Sequence, residues 1–440
     1  MLYEYIKQSA MPFSNNTLRD NKTSMSFAEL FKRAENIGEC LKGNKCGLLF
    51  EHEIDVAVGF LACLYAHITS VPLSFRYGEL YNQGIIDALE IKTILGDGCS
   101  SGFSDDTEDT VMNDVATIMC TSGTSGAPKG AMLTYDGILN ELLDIKEAVP
   151  VSHLDTFLII RPLTHCSALI CEFLYALING ANIIFCSDYY NPLEIVKAIN
   201  EKGVTVMGAT PSTLFQLSRF IGSSEKRITL VSSGECMTET VAKRIRAAFP
   251  YARIYNAYGL TEAGSRVSVL DCTLFDENPT SVGKPLKSFR YTINNGELML
   301  SGQSLMKGYY GQEPSGTKWL STGDLVCERE GLLYVEGRKD DMIIRYGVNI
   351  YPANIESRLK QDKRVKEVLV TGEQNKEVSQ QVKVYIESEE LTINEAFELC
   401  KKLLPKTLFP DQVYLVDQIG KTASGKVKRV RLFDNEKGRN

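Results

Sequence analysis

The segment Thr121-Ser122-Gly123-Thr124-Ser125-Gly126-Ala127-Pro128-Lys129-Gly130 gathers four hydroxyl side chains, three glycines and one lysine into ten residues. Glycine permits positive φ and lets the backbone approach a ligand closely. Successive N–H groups in such a turn form an anion-binding nest, to which a lysine adds a point charge. The chemistry this composition suits is the holding of phosphates. A flexible Gly/Ser linker shares the composition. A linker, however, needs neither Pro128-Lys129-Gly130 nor the apolar run Val115-Ala116-Thr117-Ile118-Met119-Cys120 leading into it, which reads as a buried strand. The P-loop pattern G-x-x-x-x-G-K-[ST] is not matched here. A near miss, Gly420-Lys421-Thr422-Ala423-Ser424-Gly425-Lys426-Val427, lacks the Ser or Thr after its lysine and lies close to the C-terminus.

Four further groups of residues could act on a bound nucleotide. Asn256-Ala257-Tyr258-Gly259-Leu260-Thr261-Glu262 ends a strand, at the edge where α/β folds place ligands. Tyr258 can stack on adenine, Thr261 can hydrogen-bond the α-phosphate, and Glu262 can hold magnesium bridged to phosphate oxygens. A strand-end turn with an N-cap threonine is the plainer alternative. Asp324, after Thr322-Gly323 in an expected tight turn, can accept both ribose hydroxyls or merely stabilise the turn. Gly208-Ala209-Thr210 and Ser232-Ser233-Gly234-Glu235 are expected to supply pocket walls, the latter against adenine. His165, in Arg161-Pro162-Leu163-Thr164-His165, follows a strand; a histidine there can be structural or can line a substrate pocket.

The elements that must carry these groups alternate. Helical spacing at Phe27, Leu30, Phe31, Ala34, Ile37 and Leu41 follows Ser26 as an N-cap. Strands and helices then interleave up to about residue 255, including a helix over 54–67, another over Tyr77–Ala88 and a polar loop over 98–112. That alternation implies parallel sheets covered by helices on both faces. Past residue 265 come short strands and turns, with Asn294-Asn295-Gly296 and Glu330-Gly331 as hairpin turns. From about Arg338 a smaller α+β unit is expected, and residues 1–25 read as polar and irregular. The expected class is α/β: a large N-terminal domain, 1–337, of two parallel helix-covered sheets plus an antiparallel β subdomain, and a small α+β C-terminal domain, 338–440.

At 440 residues the chain exceeds a single ordinary core. Its net charge of −7 argues against a general nucleic-acid binder, while residues 338–440 carry a mild basic excess. The twelve cysteines never form C-x-x-C, and with four histidines there is no zinc pattern. Cys63, Cys120 and Cys186 lie in apolar runs and read as core residues in a reducing compartment. No cationic leader precedes an apolar stretch at the N-terminus, and the most apolar window, Val56–Leu73, is too short and interrupted to span a bilayer. The expectation is a soluble, cytoplasmic protein with no membrane and no nucleic-acid partner.

The phosphate loop with Ala131-Met132-Leu133-Thr134 resembles that of the adenylate-forming superfamily: acyl-CoA synthetases, peptide-synthetase adenylation domains and beetle luciferases. Tyr258–Glu262, Gly283-Lys284-Pro285, Ser321-Thr322-Gly323-Asp324, Gly337-Arg338-Lys339-Asp340-Asp341 and Lys421–Lys426 look like family motifs in the family's order. The resemblance runs from about residue 26 to the end. It implies ATP, Mg²⁺ and coenzyme A as cofactors and the roles given above for Tyr258, Thr261, Glu262 and Asp324. It also implies nucleotide contacts from Thr121–Gly126, Lys129, Ser233, Gly234, Glu235, Asn256, Gly259 and Arg338. Lys426 would be the catalytic cation, stabilising charge as a carboxylate attacks the α-phosphate. Asp340 matches the hinge about which the family's C-terminal domain moves. Gly347-Val348-Asn349 resembles the loop that meets the pantetheine arm. His165 stands where acyl- and aryl-activating relatives carry histidine; the aspartate of amino-acid-activating relatives is missing.

Three departures stand out. Ser125 replaces a common threonine, Gly420 replaces a frequent proline before the catalytic loop, and the N-terminal region is shorter than usual. The function implied is an ATP-dependent acid–thiol ligase. It activates a carboxylic acid, aryl or short-to-medium acyl by the apolar neighbours Leu163 and Ala168-Leu169-Ile170, and passes it to coenzyme A. Acyl transfer to the phosphopantetheine of an acyl carrier protein is the alternative acceptor. A degenerate nucleotide-binding regulator is the alternative from another class, and oligomeric state stays open.

Overall fold

A computed structural model describes residues 1–75, 78–97, 99–101, 112–122, 128–186, 191–312, 318–339, 341–345, 348–350, 352–374, 380–405, 408–421 and 427. The chain divides into two compact units. The larger comprises Met1–Thr292, Met299–Leu320 and Glu328–Tyr334; the second comprises Ile293–Leu298, Ser321–Cys327 and Val335–Asn440.

Two sheets organise the larger unit. The first runs in the order Lys284–Pro285, Ser268–Leu270, Arg253–Tyr258, Thr229–Ser233, Val206–Ala209, Thr156–Ile159, Asn182–Phe185, Thr17–Arg19, Ser24–Ser26. The strands from Arg253–Tyr258 to Thr17–Arg19 are parallel, and antiparallel pairs close both edges. The second runs in the order Cys99–Ser101, Thr93–Gly96, Lys45–Leu49, Thr69–Pro72, Val115–Ser122, Pro128–Thr134. Its interior pairs are parallel. Fully buried Leu230, Met207, Leu158 and Ile254 on the first sheet pack with Leu214, Leu217, Ile245 and Phe249 from helices Pro211–Leu217 and Glu239–Ala248 and the turn after it. Helices here start on sequence-readable caps. Ser26 and Glu29 form a reciprocal capping box, and Thr210 and Thr238 cap the helices that follow strands; each cap is worth about 1 kcal/mol.

Three expectations need correction. Residues 1–25 are not irregular: Leu2–Ala10 is a helix burying Leu2, Tyr3, Ile6 and Ala10, and Thr17–Arg19 joins the first sheet. Those four positions recur at helical spacing, and the polar residues between them hid it. The polar stretch after residue 98 begins with a strand, Cys99–Ser101, paired antiparallel to Thr93–Gly96. Asp324 does not follow a tight turn. It lies inside strand Leu320–Arg329, where Gly323 takes φ 70° without ending the strand.

A four-stranded sheet follows in the order Phe289–Asn294, Glu297–Gly302, Leu320–Arg329, Leu332–Arg338. Asn295-Gly296 and Glu330-Gly331 both have positive φ, the geometry of two-residue hairpin turns. In the second unit, Glu367–Gln374, Gln380–Glu387 and Gln412–Val416 form a three-stranded sheet packed on helices Pro352–Leu359 and Ile393–Leu403 through Ile355, Leu359, Val384, Ile386 and Leu399. Among the described residues no helix is long and apolar enough to cross a membrane.

Candidate active site

The parallel strands of the first sheet end together, and their carboxyl ends bring forward Thr210, Ser233-Gly234 and Tyr258-Gly259. Thr210 spends its hydroxyl on the N–H of Thr213 at 3.2 Å. Glu235 accepts from the N–H of Ser212 at 3.1 Å and from its hydroxyl at 2.9 Å, so its carboxylate ties two strand ends together. Gly234 takes φ 94°, a conformation that favours glycine. Behind this rim Ser232 and Ser233 keep buried hydroxyls without a partner. Asn256 donates to the carbonyl of Ser281 at 2.8 Å, while its own carbonyl oxygen is buried and unpartnered. Orphaned buried polar atoms are uncommon, and here they cluster where a bound purine or ribose phosphate can supply partners.

After Tyr258 the backbone folds tightly on itself. A Cβ on Gly259 would stand 1.8 Å from the carbonyl oxygen of Ser265, so only glycine fits. Ser265 itself is held at φ 123°, a strained value for a side-chain-bearing residue. Between them Thr261–Ala263 makes one 3₁₀ turn, and Glu262 is half-buried on it. Glu262 accepts a 2.6 Å hydrogen bond from the hydroxyl of Tyr309. The ammonium of Lys129 lies 5.2 Å from the centre of the same ring, within cation–π range. Tyr309 thus joins the magnesium candidate to the lysine of the phosphate segment. It is held there because Lys307 N–H donates to Met132, Met132 N–H to Gly308, and Tyr310 N–H to Gly130, at 2.8–3.0 Å. No motif in the sequence pointed to Tyr309; its only signal was a Lys-Gly-Tyr-Tyr run beyond the strands.

The phosphate segment is a strand hairpin rather than a loop on the end of one strand. Thr121 pairs with Lys129 and Ser122 with Pro128 across it. Gly123, Thr124, Ser125 and Gly126, at its tip, lie outside the described residues. His165 is half-buried at the start of helix Cys166–Ala168 and accepts the N–H of Leu169 through its carbonyl at 3.0 Å. This helix opens into a π-helical stretch, Leu169–Leu174, a form frequent at functional sites.

The second unit holds the other candidates. Asp324 is buried, and Arg338 approaches it at 3.2 Å. Glu297, missed in the sequence, sits beneath them. It accepts from Gly323 N–H at 3.1 Å, from Lys339 at 2.8 Å and from Ser321, and Lys339 and Ser321 together hold its carboxyl below the usual range. Lys421 reaches Glu367 at 2.8 Å and bridges to Val427, closing a hairpin. Lys426, within that hairpin, and Asp340 and Gly347 all lie outside the described residues. Among the described residues no cluster of three or more His, Cys, Asp or Glu could hold a metal. Glu262 with substrate phosphate oxygens still suits Mg²⁺, which takes few protein ligands.

This geometry belongs with a known family. The chain matches the AMP-binding enzyme model over residues 97–310 and the AMP-binding enzyme C-terminal domain over 354–426. It is 27% identical to the 2-succinylbenzoate–CoA ligase of Bacillus subtilis over 94% of each chain. It is 30% identical to that of Bacillus pumilus over 73% of this chain and 69% of the relative. The structure of the Bacillus subtilis o-succinylbenzoate CoA synthetase in complex with the acyl-adenylate intermediate OSB-AMP superposes with a TM-score of 0.87 at 25% identity, covering 99% of both chains. The ATP-bound MatB structure from Rhodopseudomonas palustris shares the fold, with a TM-score of 0.84 at 20% identity over 97% of each chain. The chain belongs to the AMP-binding enzyme family. Within it the chain is one of the acyl- and aryl-CoA-ligase-like members of the adenylate-forming superfamily, an AMP-forming acid–thiol ligase.

Proposed function

We propose that the chain activates 2-succinylbenzoate with ATP and Mg²⁺ and transfers the acyl group to coenzyme A. The observation that carries this reading is the full-length likeness to a ligase structure holding the acyl-adenylate of that acid. A carboxylate oxygen attacks the α-phosphorus, an anhydride bond forms, and pyrophosphate leaves. The coenzyme A thiolate then attacks the acyl carbon, a thioester forms, and AMP leaves. In this reading Glu262 holds Mg²⁺ on the phosphates, with Tyr309 fixing its carboxylate. Lys129 and the hydroxyls of Thr121, Ser122, Thr124 and Ser125 grip the β- and γ-phosphates. Ser233, Gly234 and Asn256 meet the base, on which Tyr258 stacks, and Asp324 with Arg338 holds the ribose. Lys426 stabilises the charge that builds between the two anions. His165 and the Gly347 segment line the thiol's approach.

The catalysis is placed in the cytoplasm, consistent with described cysteines that are all free. Coenzyme A is the acceptor rather than a carrier protein. Thioester formation measured side by side with coenzyme A and with a phosphopantetheinylated carrier tests this. Product with coenzyme A alone is expected; product only on the carrier would replace this acceptor with the other.

A further inference from the structure

Beneath the strand-end rim lies a narrow cavity floored by charge. It is lined by Arg266, Glu172, Cys171, Tyr175, Gly208 and Val231. Gly208 and Val231 come from the same two strands whose ends form the rim. Arg266 is 3% exposed, and its Nε has no partner. One oxygen of Glu172 pairs with Arg161, and the other is buried without a partner, as is Arg161 Nε. Glu141 accepts the backbone N–H of Arg266 at 2.7 Å, not its guanidinium, and its second oxygen is also unpartnered. The fit is close: a Cβ on Gly208 would stand 2.6 Å from Glu172 Oε1, and one on Gly264 would stand 2.2 Å from Glu141 Oε2.

The charges around this cavity do not cancel. Arg161 is matched by Glu172, but among the described residues Arg266 makes no ion pair. Glu141, its nearest candidate counter-charge, is pushed up to about 8 by burial and is mainly neutral below that pH. A buried, unmatched guanidinium is costly for folding unless something completes it. Its planar donor fork suits a carboxylate.

We propose that Arg266 is the specificity-determining cation for the acid substrate, receiving the carboxylate that is not activated, with Glu141 and the Arg161–Glu172 pair as positioning residues. This rests on the acid-ligase reading above. It makes the enzyme selective for dicarboxylic acids whose second carboxylate reaches the pocket floor. Water could fill so polar a cavity in the free enzyme, and the bound acid then displaces it.

The test compares 2-succinylbenzoate with its monoester at the carboxylate that is not activated, for the wild type and for Arg266→Gln and Arg266→Lys, by thioester formation. Leaving a buried charge unmatched costs at least about a 30-fold rise in KM for the monoester on the wild type, with kcat less affected. Arg266→Gln should raise KM for the diacid by a similar factor and abolish the discrimination, and Arg266→Lys should restore part of it. A wild type that turns over diacid and monoester equally well overturns the inference while leaving the ligase reading intact. So does an Arg266→Gln enzyme that discriminates as strongly as the wild type. If Arg266→Gln does not fold, the wild-type comparison still decides. A wild type that forms no thioester with any acid overturns the ligase reading as well.

Discussion

The rim and the floor of the same unit are built on opposite principles. At the rim, Thr210, Gly234, Gly259 and the 3₁₀ turn at Glu262 are fixed by backbone geometry and short-range hydrogen bonds, and their side chains face the strand ends. At the floor, Glu141, Arg161, Glu172 and Arg266 are four charged side chains taken out of water, held by contacts between distant segments. A rim of this kind can bind a common nucleotide in many enzymes, whereas a buried charged floor is specific to one acid. The difference teaches where chemistry and selectivity separate: the reaction sits on the edge of the sheet, and the choice of acid sits beneath it.

Perturbing each region should therefore move a different observable. Removing a partner from the floor has the largest effect. Arg161→Ala leaves Glu172 buried and uncompensated and should destabilise the fold by about 3–5 kcal/mol, read as a lower denaturant midpoint with an unchanged slope. A loss under 1 kcal/mol would mean that the pair is hydrated and the floor is not dry. At the rim, Tyr309→Phe removes the hydroxyl that orients Glu262 and should weaken the Mg²⁺ dependence of adenylation by about 10–100-fold with little change in stability. If stability falls and Mg²⁺ dependence does not, Tyr309 is structural.

The smallest effect concerns pH. Burial, the largest influence, raises the Glu141 carboxyl from 4.5 to about 8; Arg266 opposes the shift, the Cys171 thiol also opposes it, and Asp144 adds to it. A carboxyl raised on folding contributes stability that is complete below its unfolded value and is lost as pH rises toward its folded one. The wild type should thus lose stability between about pH 4.5 and 8, and Glu141→Gln should flatten that slope. Identical slopes in thermal unfolding across this range would show that Glu141 ionises freely.

The two regions also differ in how far they could be read in advance. The rim was legible because its requirements are local. Gly259 is glycine because Ser265 crowds it six residues on, and Thr210 is threonine because a helix starts there. Such constraints leave short motifs. The floor left none: the bond between Glu141 and the Arg266 backbone spans 125 positions. Its one signal was Glu172, a lone charge in the apolar run Leu169–Ile178, where burial without a partner would be prohibitive. Tyr309 and the helix Leu2–Ala10 escaped for a related reason, since each is placed by pairing or packing with distant segments. Strand and helix alternation in the larger unit was readable because both faces of its parallel sheets are covered, and apolar runs record that directly.

The most direct test of the central claim is ATP–pyrophosphate exchange with and without 2-succinylbenzoate, on the wild type and on Lys426→Ala, alongside transfer from preformed acyl-adenylate to coenzyme A. The wild type should exchange only when the acid is present. Lys426→Ala should lose that exchange by about 10²–10³-fold yet still transfer the preformed acyl group. Exchange that ignores the acid, or a variant that loses both half-reactions together, would contradict the account.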